Sequence, residues 1–178
     1  SSVSVYSVGG TVAGLKYRNG PVTILLNSGA ASTLLVSVNQ AGKCVSYNQG
    51  LTPATTSIAD PVSVDVATGK TSCNFKFADQ FKLRTDVDYT VSIPTSPSGQ
   101  PTGQSCALTS FTGRIVSADI SNVSIACTDA TYFIGGEFSD LKGSIQLKLQ
   151  LGDGADQVYT SGTEGNSKPG IVGDGSGA

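Results

Sequence analysis

Of the 178 residues, 38% are hydrophobic and 13% charged, and the net charge is −2. One domain, or one domain plus a fragment, can bury a core at this length. The weak charge gives no electrostatic reason to expect nucleic acid, and no segment reaches the ~18 consecutive apolar residues of a membrane span. The absence of His excludes Ser-His-Asp and Cys-His catalysis and any zinc site completed by His.

Gly is abundant at 22 residues, and Val, Ile, Ser and Thr dominate the rest, which is strand-and-turn composition. No 11-residue window carries helical periodicity. The first residue is Ser1 rather than Met, so the N-terminus reads as a processed end, as removal of a signal peptide would leave. The four cysteines, Cys44, Cys73, Cys106 and Cys127, contain no Cys-x-x-Cys spacing. An even number without metal-ligand spacing points to two disulfides in an exported protein.

In chain order, residues 1–5 form an N-terminal arm in which Val3 and Val5 alternate with Ser. Strand patterns follow at Tyr6–Val12, Pro21–Asn27 and Thr33–Val38, with Asn19-Gly20 as a turn dipeptide suited to positive φ. Residues 39–71 carry one clear alternating strand, with Val62, Val64 and Val66 on one face. Further strands are expected at Ser72–Phe77, Thr85–Ile93, Cys106–Phe111, Arg114–Val116 and Val123–Cys127. Residues 94–105 are a loop by their Pro, Gly and Ser content. Eight or nine short strands divided by turns read as an antiparallel β-sandwich.

The chain also repeats itself. Tyr6, Gly9-Gly10 and Leu15 recur as Tyr132, Gly135-Gly136 and Leu141, Tyr132 lying 132 − 6 = 126 residues after Tyr6. Val22, Ile24 and Leu26 answer to Ile145, Leu147 and Leu149 once three residues are dropped between them. The copies are unequal, since the second spans 178 − 132 + 1 = 47 residues. The expected organisation is an arm over 1–5, a sandwich over 6–128 with an insertion at 39–71, and an incomplete second β unit over 129–178 with a Gly-rich tail.

Cys106 and Cys127 flank the last two strands of the first unit, where a hairpin-like return can bring them together, leaving Cys44 and Cys73 for each other. Loops of such lengths are worth ~3–4 kcal/mol each in the chain-entropy account. The spacing leaves the other two connectivities open.

Tyr6-x-Val8-Gly9-Gly10-Thr11-Val12-x-Gly14-Leu15 resembles the opening of an immunoglobulin-like repeat of secreted and surface proteins of proteobacteria. Val22-Thr-Ile-Leu-Leu-Asn27, Phe75-Lys-Phe77, Tyr89-Thr-Val-Ser-Ile93 and Gln104-Ser-Cys106 are similar to its later segments. The most specific match is the closing Ile115-Val-Ser-Ala-Asp-Ile-Ser-Asn-Val-Ser-Ile-Ala-Cys127. The resemblance covers 6–127 well and 132–160 partly. It implies an Ig-like fold, a secreted context, a Cys106–Cys127 disulfide and a structural or display role without catalysis. Two departures are the 39–71 insertion, which carries Cys44, and Cys73-Asn74 where the repeat has Asn-Gly.

No catalytic constellation is expected. Glu137 with Asp140 is a pair of acids on a turn, more typical of solvated surface than of a glycosidase. Asp153 and Asp156 are weak calcium candidates that lack the spaced acids and distal Glu of a calcium loop. Gly9-Gly10 has no following lysine or helix for a phosphate loop, so a bulge or a close backbone approach is expected. Asn122-Val-Ser124 is a formal glycosylation sequon placed in an expected buried strand and is discounted.

Ile145, Leu147, Leu149 and Leu151 alternate with Gln146, Lys148 and Gln150 as the cleanest amphipathic strand of the chain. Such a face needs a cover, and an isolated hairpin is marginal in water. The sequence is therefore read as an exported, non-enzymatic, cofactor-free structural protein that self-assembles into an extracellular fibre or surface layer by strand pairing between subunits. Its assembly surface is expected at Val3, Val5, Ile145, Leu147, Leu149 and Leu151. The alternative is a monomeric adhesin or carbohydrate-binding module contacting a glycan or host surface through 39–71.

Overall fold

The structure, a computed structural model, describes residues 2–109 and 111–130 together with the strand segments 132–134, 145–149, 157–161 and 171–173. The chain divides into two compact units, Ser1–Thr128 and Asp129–Ala178.

In the first unit the strands are Val5–Tyr6 (β1), Val8–Leu15 (β2), Val22–Leu26 (β3), Thr33–Val38 (β4), Cys44–Asn48 (β5), Thr55–Ala59 (β6) and Ser63–Asp65 (β7). They continue as Lys70–Lys76 (β8), Leu83–Arg84 (β9), Asp88–Ser92 (β10), Gln104–Thr109 (β11), Thr112–Arg114 (β12) and Ile120–Asp129 (β13), the last of which ends one residue past the unit boundary. The described residues contain short 3-10 turns but no α-helix. The fold is all-β, as the composition and alternation predict.

Two sheets form the body, one in the order β12-β10-β3-β4-β5-β6 and one in the order β11-β13-β2-β8-β7, while β1 and β9 make a separate pair. Neighbours run antiparallel in the registered pairs except for β13 with β2, which are parallel. The inward faces of both sheets feed one core. Val22, Ile24, Leu34 and Val36 come from the first sheet, and Val12, Cys73, Val123 and Ile125 from the second. Each is at most 1% exposed. Alternation is why: successive side chains of a strand leave opposite faces, so one apolar set per strand points between the layers. Burying one such side chain is worth ~1.5–3 kcal/mol.

Gly9 and Gly10 sit where the backbones of three strands converge. A Cβ on Gly9 would lie 2.4 Å from the Phe75 carbonyl oxygen of β8, and one on Gly10 would lie 1.8 Å from that of Val123 in β13. Close backbone approach is therefore the use of this Gly-Gly pair. The turn at Asn19-Gly20 likewise has Gly20 at φ +77°.

Cys44 of β5 bridges to Cys73 of β8, and Cys106 of β11 bridges to Cys127 of β13. The first staples the two sheets together. The second ties two neighbouring strands of one sheet. Described as an insertion on sequence grounds, residues 39–71 contribute β5, β6 and β7 and supply the cysteine of the inter-sheet bridge.

Some boundaries move. The expected strand Thr85–Ile93 is broken by Asp86 at φ +66°, which leaves β10 to start at Asp88 and Val87 exposed. The face expected from Val62, Val64 and Val66 is exposed at all three positions, because β7 is a three-residue strand at the end of its sheet.

In the second unit, Tyr132–Ile134 (β14) pairs with Ile171–Gly173 (β17), and Ile145–Leu149 (β15) pairs with Gln157–Ser161 (β16), both antiparallel. Each is a two-stranded sheet among the described residues.

Candidate functional site

Chemistry offers little to build on. Among the described residues no group of three or more His, Cys, Asp or Glu could hold a metal ion. No buried side-chain nitrogen or oxygen among them lacks a hydrogen bond. No helix of the described residues is long and apolar enough to cross a membrane. Glu137, Asp140, Leu151, Asp153 and Asp156 lie outside the described residues.

What the first unit does present is a set of sheet edges, and they are treated differently. An edge strand exposes unpaired N–H and C=O groups that template pairing with another chain, unless it is short, charged or covered. The β11 edge is covered at Cys106: the side-chain amide of Gln100 donates from Nε2 to the Cys106 carbonyl at 3.0 Å, and its Oε1 accepts from the Cys106 N–H at 2.6 Å. The amide thus engages Cys106 as a neighbouring strand would. Gln104 does the same across a gap, donating to the Gly14 carbonyl and accepting from the Lys16 N–H. The loop over 94–103 also extends the cover of β3, since the Thr23 N–H donates to the Gly99 carbonyl at 2.8 Å.

At the far end of the six-stranded sheet, β12 is three residues long and carries Arg114, paired with Asp88 at 2.8 Å. The guanidinium holds the Asp88 carboxyl below its ordinary value, by hydrogen bonding first and by its charge second. β7 is equally short and ends in Asp65.

β6 differs from all of these. Thr55-Thr-Ser-Ile-Ala59 is five residues long, holds no charge, and is exposed at every position. Among the described residues it pairs only with β5, in the register Cys44↔Ala59 through Asn48↔Thr55. Lys43 and Asp60 form an ion pair at one corner of this β-ribbon, and Lys43 lowers the Asp60 pKa through that hydrogen bond and its charge. Ile58, Val62, Val64 and Val66, all exposed large hydrophobics, fall within nine residues, 66 − 58 + 1, of this side of the sandwich.

Of the expected assembly residues, Val3 is exposed and precedes the first strand. Val5 stands opposite Arg84 in the β1–β9 pair and remains exposed, so the arm's last residues already have a partner within the chain. Ile145, Leu147 and Leu149 fall on β15, opposite Ser161, Tyr159 and Gln157 of β16. Asn122 and Ser124 of the sequon are exposed, with Val123 alone turned into the core.

The sequence pattern predicts neither β5 nor β6. The available signal for β6 was Thr55, Thr56 and Ile58, β-branched residues fenced by Pro53 and Pro61. No family model, curated protein or solved structure matches this chain.

Proposed function

We propose that this chain is an exported structural protein, built on an Ig-like repeat, that assembles with copies of itself into an extracellular fibre or surface layer by β-strand pairing between subunits. The observation that carries the reading is the pairing in the second unit, where the described strands associate only two by two. Two-stranded sheets are marginal in water, and three or more strands or a covering layer are needed for stability. A strand from another subunit would supply both main-chain hydrogen bonds and side-chain pockets for β15. Two disulfides fit an oxidising location outside the cell. Sparse charge fits close lateral packing.

The test is negative-stain microscopy and light scattering of the full chain beside a Leu147→Lys variant. Fibres or sheets from the unmodified chain, reduced at least tenfold by the substitution, support the reading. A chain that stays monodisperse and monomeric at high concentration sinks it.

A second reading has its own observation, the exposed Ile58, Val62, Val64 and Val66. A monomeric adhesin or carbohydrate-binding module would use them as its contact surface. That version requires saturable glycan or host-surface binding that disappears when residues 54–66 are replaced by a short turn.

A further inference from the structure

β6 is the one long edge in the first unit, among the described residues, that is neither charged nor covered. The others are handled: β11 by the Gln100 amide, β12 by its length and the Arg114–Asp88 pair, β7 by its length and Asp65. An edge is satisfied by an extended strand, because only a strand presents donors and acceptors at the matching repeat.

The flanking sequence restricts how long the paired segment is. Pro53 and Pro61 lack a backbone N–H and stand four residues either side of Ser57, since 57 − 53 = 4 and 61 − 57 = 4. The stretch is therefore symmetric about Ser57 in its capacity to donate. A strand pairing with itself about a two-fold axis at Ser57 would place Thr55 opposite Ala59 and Thr56 opposite Ile58, with the prolines just outside the paired segment. In that register no charges meet, since Thr55–Ala59 carries none, and Asp60 just beyond it already pairs with Lys43 within its own chain.

The side chains agree with the main chain. Directly opposed residues of an antiparallel pair share a face, so Ile58 lies on the same face as Val45, and Thr56 on the same face as Tyr47. This is the outer face, because Cys44, one residue from Val45, turns into the core. Self-pairing would set Ile58 beside Thr56 of the second copy and diagonal to its Ile58. The outer row would then read Val45, Ile58, then Thr56 and Tyr47 of the second copy. Ile58, 64% exposed in the single chain, would gain neighbours on both sides.

We infer that β6 is an assembly edge that pairs antiparallel with β6 of a second copy of this chain, about a two-fold axis through Ser57. The inference rests on the reading of the chain as a self-assembling protein and names one of its joints. A two-fold joint closes on itself, so propagation needs a second and different joint. In that reading the second unit supplies it, and the two joints alternate along the fibre.

The experiment is oxidative cross-linking of full-length variants that keep both native disulfides and carry one or two added cysteines, read on non-reducing gels. Directly opposed residues in such a pair have Cα atoms about 4.5–5.5 Å apart, within the roughly 4.4–6.8 Å that a disulfide spans. Ser57→Cys should give a covalent dimer as the dominant species. Thr55→Cys alone should give little, because its mate across the axis is Ala59. Thr55→Cys with Ala59→Cys should restore the dimer, which fixes the register. Ile58→Lys should lower the dimer fraction of the Ser57→Cys chain at least tenfold. Absence of a Ser57→Cys dimer, in a chain whose unmodified form still makes fibres, overturns this joint and leaves the assembly reading standing. Equal cross-linking at Ser57 and Thr55 overturns the register. An unmodified chain that is monomeric throughout, or that binds a glycan through Ile58 as a monomer, overturns the joint together with the assembly reading.

Discussion

Val22, Ile24 and Leu26 of β3 are at most 3% exposed, whereas Val62, Val64 and Val66, spaced the same way, are 56, 47 and 91% exposed. Both triplets alternate with other residues, and both have strong β propensity. What separates them is position. β3 lies inside its sheet between β10 and β4, and the second sheet covers its inner face. β7 is a three-residue strand at the end of its sheet. Alternation tells which side chains share a face. It does not tell whether another layer lies over that face, because the layer comes from residues distant in the chain.

Substitutions can break this comparison. Leu34→Ala, in the strand beside β3, should destabilise the first unit by about 2–5 kcal/mol, since a buried cavity adds to the lost transfer energy. Chemical denaturation would measure it. A loss below about 1 kcal/mol would mean that the core between the sheets is loose.

Next in size comes the inter-sheet staple. Replacing Cys44 and Cys73 together by Ala should cost about 2–5 kcal/mol, for a bridge that closes a separation of 29 residues. The bridge joins the exposed region to the buried one, so limited proteolysis of the variant should cut first within residues 49–69. Cleavage elsewhere would show that β5 and β6 hold their place without it.

A smaller effect is expected at the covered edge. Gln100→Ala should cost about 1 kcal/mol through the two hydrogen bonds to Cys106. It should also raise association of the chain measured by light scattering, by uncovering β11. No change in association would mean that the edge is protected by something other than the amide.

Acid should act through Asp119. Its carboxylate accepts the Ser7 N–H at 2.8 Å, which with the Ser7 hydroxyl holds its pKa below the ordinary value, and Lys82 and Lys76 add to this. A carboxyl whose folded pKa is depressed stabilises the fold above its unfolded value of about 3.9, and that contribution is lost as pH falls through the folded value. Melting temperature followed from pH 6 to pH 2 should therefore fall less steeply for Asp119→Asn than for the unmodified chain. Equal slopes would leave Asp119 no part in the acid limb.

The smallest effect belongs to the exposed triplet. Val64→Thr and Val66→Ser should change stability of the monomer by no more than about 0.5 kcal/mol. A larger loss would place a covering layer over β7 even in the single chain.

Much of this architecture was legible in residues. Ile24 and Val36 could be assigned to a core because period-2 alternation is a local property of the strand. Gly9-Gly10 announced a close approach because nothing but hydrogen fits there. Asn27, at φ +52°, shows why a strand ends in Asn: it accepts the positive φ, and its N–H and Oδ1 both engage Thr90.

Sequence alone determined the all-β class, the two-faced pattern of β3 and β4 and the availability of four thiols for two bridges. Only the tertiary structure decided that Cys44 pairs across the sheets, that residues 39–71 extend them, and that β6 is left as a bare edge while β11 is covered by Gln100. The physical reason is range. Face alternation and turn chemistry act over two to four residues, whereas sheet order and edge cover depend on which distant segments meet.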